Sequence, residues 1–414
     1  MKILFLSDDF PPESFGGAGI VAFRDAAALL KCGHEVAVIT TKQWVKKNGE
    51  VEVGAYEGLK IFKIHSNYPE RWRAYRSLNN RPVVCRVKKI VAEFKPDVIH
   101  AHNIHAHISY DSLRVAKESG AKICMTFHDA MAVHYGKLFP LNVYKVDEPL
   151  AYRISALSQI KIYGLRYNPF RNMRIRHYLS YVDKLFAVSD ALKQALEENG
   201  IKYITVLHNG ISVADWQTDS PHVSAFRTTH GLDGKKVILF GGRLSGAKGA
   251  VVALQVLKIV SEKVKDAVLL IVGSVDSKGA VSMKKQAEAI GLADKTIFTG
   301  WLAPEHMKDA MASSSVVAVL SVYLDPFPTI NMEAMACRKP VVGTIFGGTP
   351  EIAIDRKTGY IVDPRDVSSV AEKMTDLLED PKKAGRFGEA GYERVRSVFS
   401  MEAHIDALLA CYNA

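Results

Sequence analysis

Cysteine is scarce: Cys32, Cys85, Cys124, Cys337 and Cys411 are the five, widely spaced and with no Cys-x-x-Cys pair. That spacing excludes a zinc ribbon or a vicinal redox disulfide and leads us to expect reduced thiols in a cytosol. Long apolar runs are also lacking. The longest, Val316 to Leu320, extendable through Leu324, falls far short of the roughly 20 residues of a membrane span. The apolar stretch after Lys2 ends at Leu6 before Ser7, Asp8 and Asp9, so it reads as a first strand and not as a secretory leader. Low-complexity tracts and repeats of 20 to 50 residues are missing. The 29 glycines and 16 prolines are scattered, which argues against collagen, coiled coil and disorder.

What is present is an average soluble composition, 48% hydrophobic and 24% charged over 414 residues. At roughly 150 residues per domain, that length predicts two domains. The net charge of +10 is lopsided: residues 1 to 210 carry 30 Lys+Arg against 20 Asp+Glu, and residues 211 to 414 carry 24 of each. Two acid-free stretches hold much of the excess, Arg71 to Lys89 and Leu150 to Tyr181, both interleaved with aromatics such as Trp72, Tyr75, Tyr163 and Phe170. A solvated basic face is the plain reading. The sharper one is an acidic partner, an anionic membrane surface or a phosphorylated acceptor. Nucleic acid is not expected, because no helix-turn-helix, zinc finger or RNP-type motif accompanies the charge.

Short apolar runs alternate with longer helical patterns, as in βαβ units around parallel sheets. Strands are predicted at Lys2–Ser7, Glu35–Thr40, Lys60–Ile64, Val98–Ala101, Lys122–Phe127, Lys184–Val188 and Ile204–Leu207. A second series follows at Lys236–Phe240, Ala267–Val272, Thr296–Thr299, Val316–Leu320, Pro340–Gly343 and Gly359–Val362. Between the two series, Asn209–Gly234 reads as a linker. Helices are expected over 367–378, 384–397 and 401–412.

The first strand runs into Gly16-Gly17-Ala18-Gly19 at a helix start, where backbone N–H groups can reach an anion. A dinucleotide site would need an acid at the end of the second strand, and Thr40-Thr41-Lys42 stands there. The turn after Phe240 places Arg243 and Lys248 near a helix start without a Walker pattern, a suitable clamp for a diphosphate. Asp325-Pro-Phe-Pro-Thr-Ile-Asn-Met-Glu333 sets two carboxylates around a loop and a helix N-terminus, suited to vicinal hydroxyls, while the N–H groups of Phe327 to Asn331 suit phosphate oxygens. His100, His102, His105 and His107 cluster, but nothing in their spacing matches a metal motif, so no metal is expected. His128 follows a buried strand at the edge where open α/β sheets bind ligands.

Taken in order, Gly16-Gly17, Asp97 to His102, His208-Asn-Gly210, Arg243 with Lys248, Asp325 to Glu333 and Gly347 to Glu351 resemble the family 4 retaining glycosyltransferases over nearly the whole chain. The resemblance implies a GT-B fold: two Rossmann-like doubly wound α/β domains facing a cleft. The N-terminal, acceptor-binding domain would be 1–208, joined by a C-terminal helix 400–414 packing back, and the nucleotide-sugar-binding domain would be 209–399. It implies that Arg243 and Lys248 hold the donor diphosphate, Glu333 the ribose and Asp325 the donor-sugar hydroxyls. Gly16, Gly17, Phe327, Pro328, Thr329, Ile330 and Asn331 would contact phosphate and sugar, and His128 the sugar near the reacting carbon. His128, Arg243, Lys248 and Asp325 are thus the candidate catalytic residues. The implied reaction moves a sugar with retention from a nucleotide-diphosphate sugar to an acceptor hydroxyl, with no cofactor and no metal, in polysaccharide or glycolipid synthesis. The acceptor would be a lipid-linked or anionic glycan, and the protein cytoplasmic and peripheral to the membrane. A GT-B epimerase or phosphorylase, or a nucleotide-sugar-binding protein without catalysis, are the alternatives. Two positions depart from the family pattern, Asp325 where Glu is usual and Ser212 where Asp is common.

Overall fold

In the computed structural model, which describes residues 1–44, 47–140 and 150–414, the chain divides into two compact units. The first comprises Met1–Asn209 with His404–Ala414, the second Gly210–Ala403.

The first unit is built on a sheet of eight strands: β1 (Lys2–Leu6), β2 (Glu35–Lys42), β3 (Val51–Tyr56), β4 (Leu59–His65), β5 (Val98–Ala101), β6 (Lys122–Phe127), β7 (Lys184–Ala187) and β8 (Ile204–Val206). Their order is β3-β4-β2-β1-β5-β6-β7-β8, parallel except for β3. Strand β1 is apolar on both faces, Ile3 to Leu6 fully buried, because helices cover both sides of a parallel sheet. The helix Arg81–Phe94 shows how such a cover forms. Val83, Val87, Ile90, Val91 and Phe94 recur on one buried face, Pro82 sits in its first turn, and Lys95 at φ 52° closes it in the left-handed region.

Strand β3 lies outside the predicted set. Glu57 and Gly58 both take positive φ between β3 and β4, the geometry of a two-residue type I′ hairpin. As an exposed edge strand broken by Gly54, β3 carries no apolar alternation to betray it.

The second unit holds six parallel strands: β9 (Lys236–Gly241), β10 (Ala267–Val272), β11 (Thr296–Gly300), β12 (Val316–Val319), β13 (Val341–Thr344) and β14 (Gly359–Val362). Their order, β11-β10-β9-β12-β13-β14, is that of a doubly wound α/β sheet, with its switch point between β9 and β12. The Asn209–Gly234 segment is not a plain linker. It contains the helix Ser220–Thr229, started by the Asp219 side chain accepting from the His222 N–H and by Pro221. With Phe226 as its one buried apolar residue, this helix has too little periodicity to be seen in sequence.

Candidate functional site

At the carboxyl ends of β9 and β12, where open α/β sheets bind ligands, two loops of the second unit are tied together. The Val322 N–H donates to the Ala247 carbonyl at 2.9 Å. Glycine makes that approach possible. A Cβ on Gly249, at φ 84°, would lie 2.1 Å from the Leu320 carbonyl oxygen, and one on Gly347, at φ 72°, would lie 2.0 Å from that of Asp325.

Between these loops the Lys248 ammonium donates to Asp325 Oδ2 at 2.6 Å, and Ser321 Oγ donates to the same oxygen at 2.6 Å. Tyr323 donates to Oδ1 at 3.3 Å. Asp325 is buried and Lys248 half-buried, so this charge-assisted contact holds the cation at the mouth of the switch point. Arg243 lies on the same loop, exposed, and makes no ion pair among the described residues.

Beyond Asp325 comes the helix Thr329–Ala336, capped by no side chain, since Pro328 stands at its N-cap. The first-turn N–H groups at Thr329 and Ile330 therefore lack the usual side-chain acceptor, and the helix dipole favours an anion there. Ile330 is half-buried and reaches toward the end of β9; a Cβ on Gly241 would come within 2.8 Å of its Cδ1. Phe327 and Pro328 are buried, and Phe327 meets the Phe399 ring edge-on at 5.8 Å. The Asn331 side chain turns inward, donating to the Pro328 carbonyl at 3.1 Å and to Thr349 Oγ1 at 3.3 Å. Of Asn331, then, the backbone is what a ligand would meet. Glu333 is half-buried one turn further along the helix.

In the first unit the matching switch point lies between β1 and β5. Gly16 caps the helix Gly17–Lys31 without any side-chain hydrogen bond. A Cβ on Gly17 would meet nothing within 4 Å, so the protein's own packing does not require glycine there.

Asp8, which motif reading passed over, organises this edge. Its carboxylate accepts from the backbone N–H of Ala106 at 2.7 Å, His107 at 2.9 Å and Ile108 at 2.7 Å, joining the loops after β1 and β5. Burial pushes its pKa up to about 7, opposed by the N–H bonds from Ile108 and Ala106. The one signal available was an acid directly after an apolar strand.

The histidines are spent largely on each other and on the fold. His128 Nε2 meets His102 Nδ1 at 2.8 Å, their rings stacked 5.0 Å apart. His100 meets the Tyr412 hydroxyl at 2.6 Å and Thr126 Oγ1 at 2.8 Å. Burial pulls His128 down to about 4 and His100 to about 3, so both imidazoles are neutral near pH 7. Nearby, Tyr68 Oη, Arg73 Nε, His134 Nδ1 and Arg171 Nε are buried without hydrogen-bond partners among the described residues. Arg73 and Arg171 both act on Tyr135, opposing the burial that raises its pKa. Sequence reasoning counted these arginines only as charge.

Comparison with known proteins follows this division. Residues 15–215 match the family model described as Glycosyltransferase Family 4, and residues 224–394 match Glycosyl transferases group 1. The chain is 24% identical over 437 residues to a glycogen synthase of Mycobacterium tuberculosis, covering 100% of this chain and 95% of that one. It is 24% identical to N-acetyl-alpha-D-glucosaminyl L-malate synthase of Bacillus anthracis over 94% of this chain and 91% of the other. Among solved structures, the sucrose-phosphate synthase of Thermosynechococcus elongatus superposes with a TM-score of 0.76 at 21% identity, covering 100% and 98% of the two chains. Anabaena HepE in complex with UDP-glucose gives a TM-score of 0.73 at 19% identity, over 99% and 100%. The chain belongs to the family 4 glycosyltransferases, with the GT-B fold of two Rossmann-like units.

Proposed function

We propose that the protein is a retaining, metal-independent glycosyltransferase that moves a sugar from a nucleotide-diphosphate sugar to an acceptor hydroxyl. The second unit holds the donor: Arg243 and Lys248 take the diphosphate, the backbone from Phe327 to Asn331 the phosphate oxygens, and Glu333 the ribose. Asp325, on the loop after β12, takes a donor-sugar hydroxyl. Gly16, Gly17 and His128 of the first unit complete the contacts to phosphate and sugar. His128, a neutral imidazole sharing one proton with His102 across their 2.8 Å contact, offers its other ring nitrogen to the sugar.

The observation that carries this reading is the Lys248–Asp325 contact at the switch point. It fixes a cation where a leaving diphosphate gathers negative charge. It also bears on stereochemistry. Retention through a covalent intermediate needs a free carboxylate nucleophile. Asp325 Oδ2, accepting from an ammonium and a hydroxyl, is a poor one. In the proposed reaction the acceptor hydroxyl attacks from the face the diphosphate leaves and passes its proton to a phosphate oxygen. One carbon–oxygen bond forms as the other breaks, and Arg243 and Lys248 neutralise the departing charge.

The acceptor is a lipid-linked or anionic glycan, in polysaccharide or glycolipid synthesis at the cytoplasmic membrane face. Its support is the basic first half and the unpartnered buried groups of Tyr68, Arg73 and Arg171, donors that suit an oxygen-rich ligand. That HepE was solved with UDP-glucose supports a nucleotide-sugar donor. The test is incubation with UDP-, GDP- and ADP-sugars and lipid-linked glycans. Nucleoside diphosphate release matched by a glycoside of the donor's anomeric configuration is expected. An inverted product, or sugar change without an acceptor, would refute the reading.

A further inference from the structure

One surface of the first unit is inside out. The helix Ala156–Tyr163 buries Gln159 alone. Its amide donates to the Val133 carbonyl at 3.0 Å and accepts the Tyr135 N–H at 2.9 Å. With the polar side chain pinned inward, the helix's apolar ones face out, Leu157 71% exposed and Ile162 61%, and beyond its end Leu165 is 96% and Phe170 65% exposed. Met173, on the next helix Arg171–Leu179, is exposed as well. Soluble surfaces scatter single apolar residues, but a run of this size marks an interaction surface.

The charge of the same stretch selects the partner. Lys161 stands between Ile160 and Ile162, Arg166 follows Leu165, and Arg174 follows Met173, all exposed. None of these cations is ion-paired among the described residues, and no acid occurs from 150 to 181. A dry protein interface would strand such cations without counter-charges. A second copy placed symmetrically on this face would set like charges against one another. An anionic bilayer surface suits both features, because apolar side chains enter the acyl boundary while Lys and Arg reach the headgroup phosphates. No helix among the described residues is long and apolar enough to cross a membrane, so the segment would lie in the interface and not span it.

We propose that the surface from Leu157 to Met173 seats the first unit on an anionic lipid bilayer. The inference deepens the proposed reading of a membrane-face acceptor and rests on it for its purpose, though not for its test. The full-length protein is floated with vesicles of phosphatidylcholine alone and of phosphatidylcholine with about 30% phosphatidylglycerol. Expected is at least tenfold stronger partition onto the anionic vesicles, weakened by high salt. The double variant Ile162→Glu with Leu165→Glu, whose side chains are exposed and whose fold is checked by circular dichroism, should lose that partition tenfold or more. Equal partition onto both vesicle types, or an unchanged double variant, would overturn the proposal. So would a lipid-free dimer, seen by light scattering, that the double variant dissolves. Nucleotide binding is read by thermal shift on the same samples. Vesicle binding without nucleotide binding would sink the glycosyltransferase reading alone, and the reverse result this inference alone.

Discussion

Lys248 and Asp325 lie 77 residues apart in sequence and 2.6 Å apart in space. The cation proposed for the diphosphate is thus also a buried carboxylate's partner. Arg243, on the same loop, has no such second task. Lys248→Ala should therefore lower both turnover, by about 100-fold or more, and stability, by roughly 1–3 kcal/mol for a buried carboxylate that loses its charged donor. Arg243→Ala should lower turnover similarly and leave the unfolding midpoint within about a degree. Steady-state rates and thermal unfolding of the two variants check this; equal stability losses would contradict it.

Glu333 is proposed as the ribose ligand, a contact made alike in the ground and transition states. Glu333→Ala should raise KM for the donor about tenfold or more, the worth of a charge-assisted hydrogen bond, with kcat changed much less. A fall in kcat at unchanged KM would remove Glu333 from that role.

Gly17 faces open space, so a side chain there costs the fold little while occupying room proposed for donor phosphate and sugar. Gly17→Val should fold with a near wild-type midpoint and lose at least tenfold in kcat/KM. Full activity would show that the loop does not touch the donor.

Acid should destabilise the first unit in a defined window. Burial lowers the pKa of His105, His107 and His128 to about 4, that of His100 to about 3, and that of His102 well below the usual value. A histidine depressed in the fold contributes stability that is present above its unfolded value near 6.5 and lost as pH falls toward the folded value. Each unit of such shift is worth about 1.4 kcal/mol. Asp8, raised to about 7, acts in the opposite sense, losing stability as pH rises from about 4 to 7, and so does His404, where burial is outweighed by the Asp25 carboxylate and the pKa is raised, but these are two groups against five. The denaturation midpoint should fall steeply between pH 6.5 and 4, and less steeply in His105→Gln. A flat profile across that window would contradict the burial of these rings.

Much of this was legible in the sequence because parallel sheets buried on both faces write continuous apolar runs. Residues Ala267 to Val272 are all buried as β10, and Ile3 to Leu6 as most of β1. The edge strand β3, half-exposed and interrupted by Gly54, writes no such run. The helix Ser220–Thr229 hid inside an apparent linker because it buries so little. At the site, the loops were visible through their glycines and paired charges. The contact from Lys248 to Asp325 was not, since nothing local couples two positions that meet only when β9 and β12 become neighbours. Asp8 was missed for a similar reason: its three partners are backbone N–H groups, which leave no mark in side-chain identity. The outward turn of Leu157 and Ile162 depends on where Gln159 finds its partners, which again only the fold decides.

Arg243 and Lys248 are proposed to hold the diphosphate of a nucleotide-sugar. Calorimetric titration of UDP, GDP and ADP into the wild-type protein and the double variant Arg243→Ala with Lys248→Ala tests it most directly. One nucleotide should bind the wild type clearly better than the others and bind the double variant at least 100-fold more weakly, about 2.7 kcal/mol. Undiminished nucleotide binding by the double variant, or no binding of any of the three to the wild type, would contradict it.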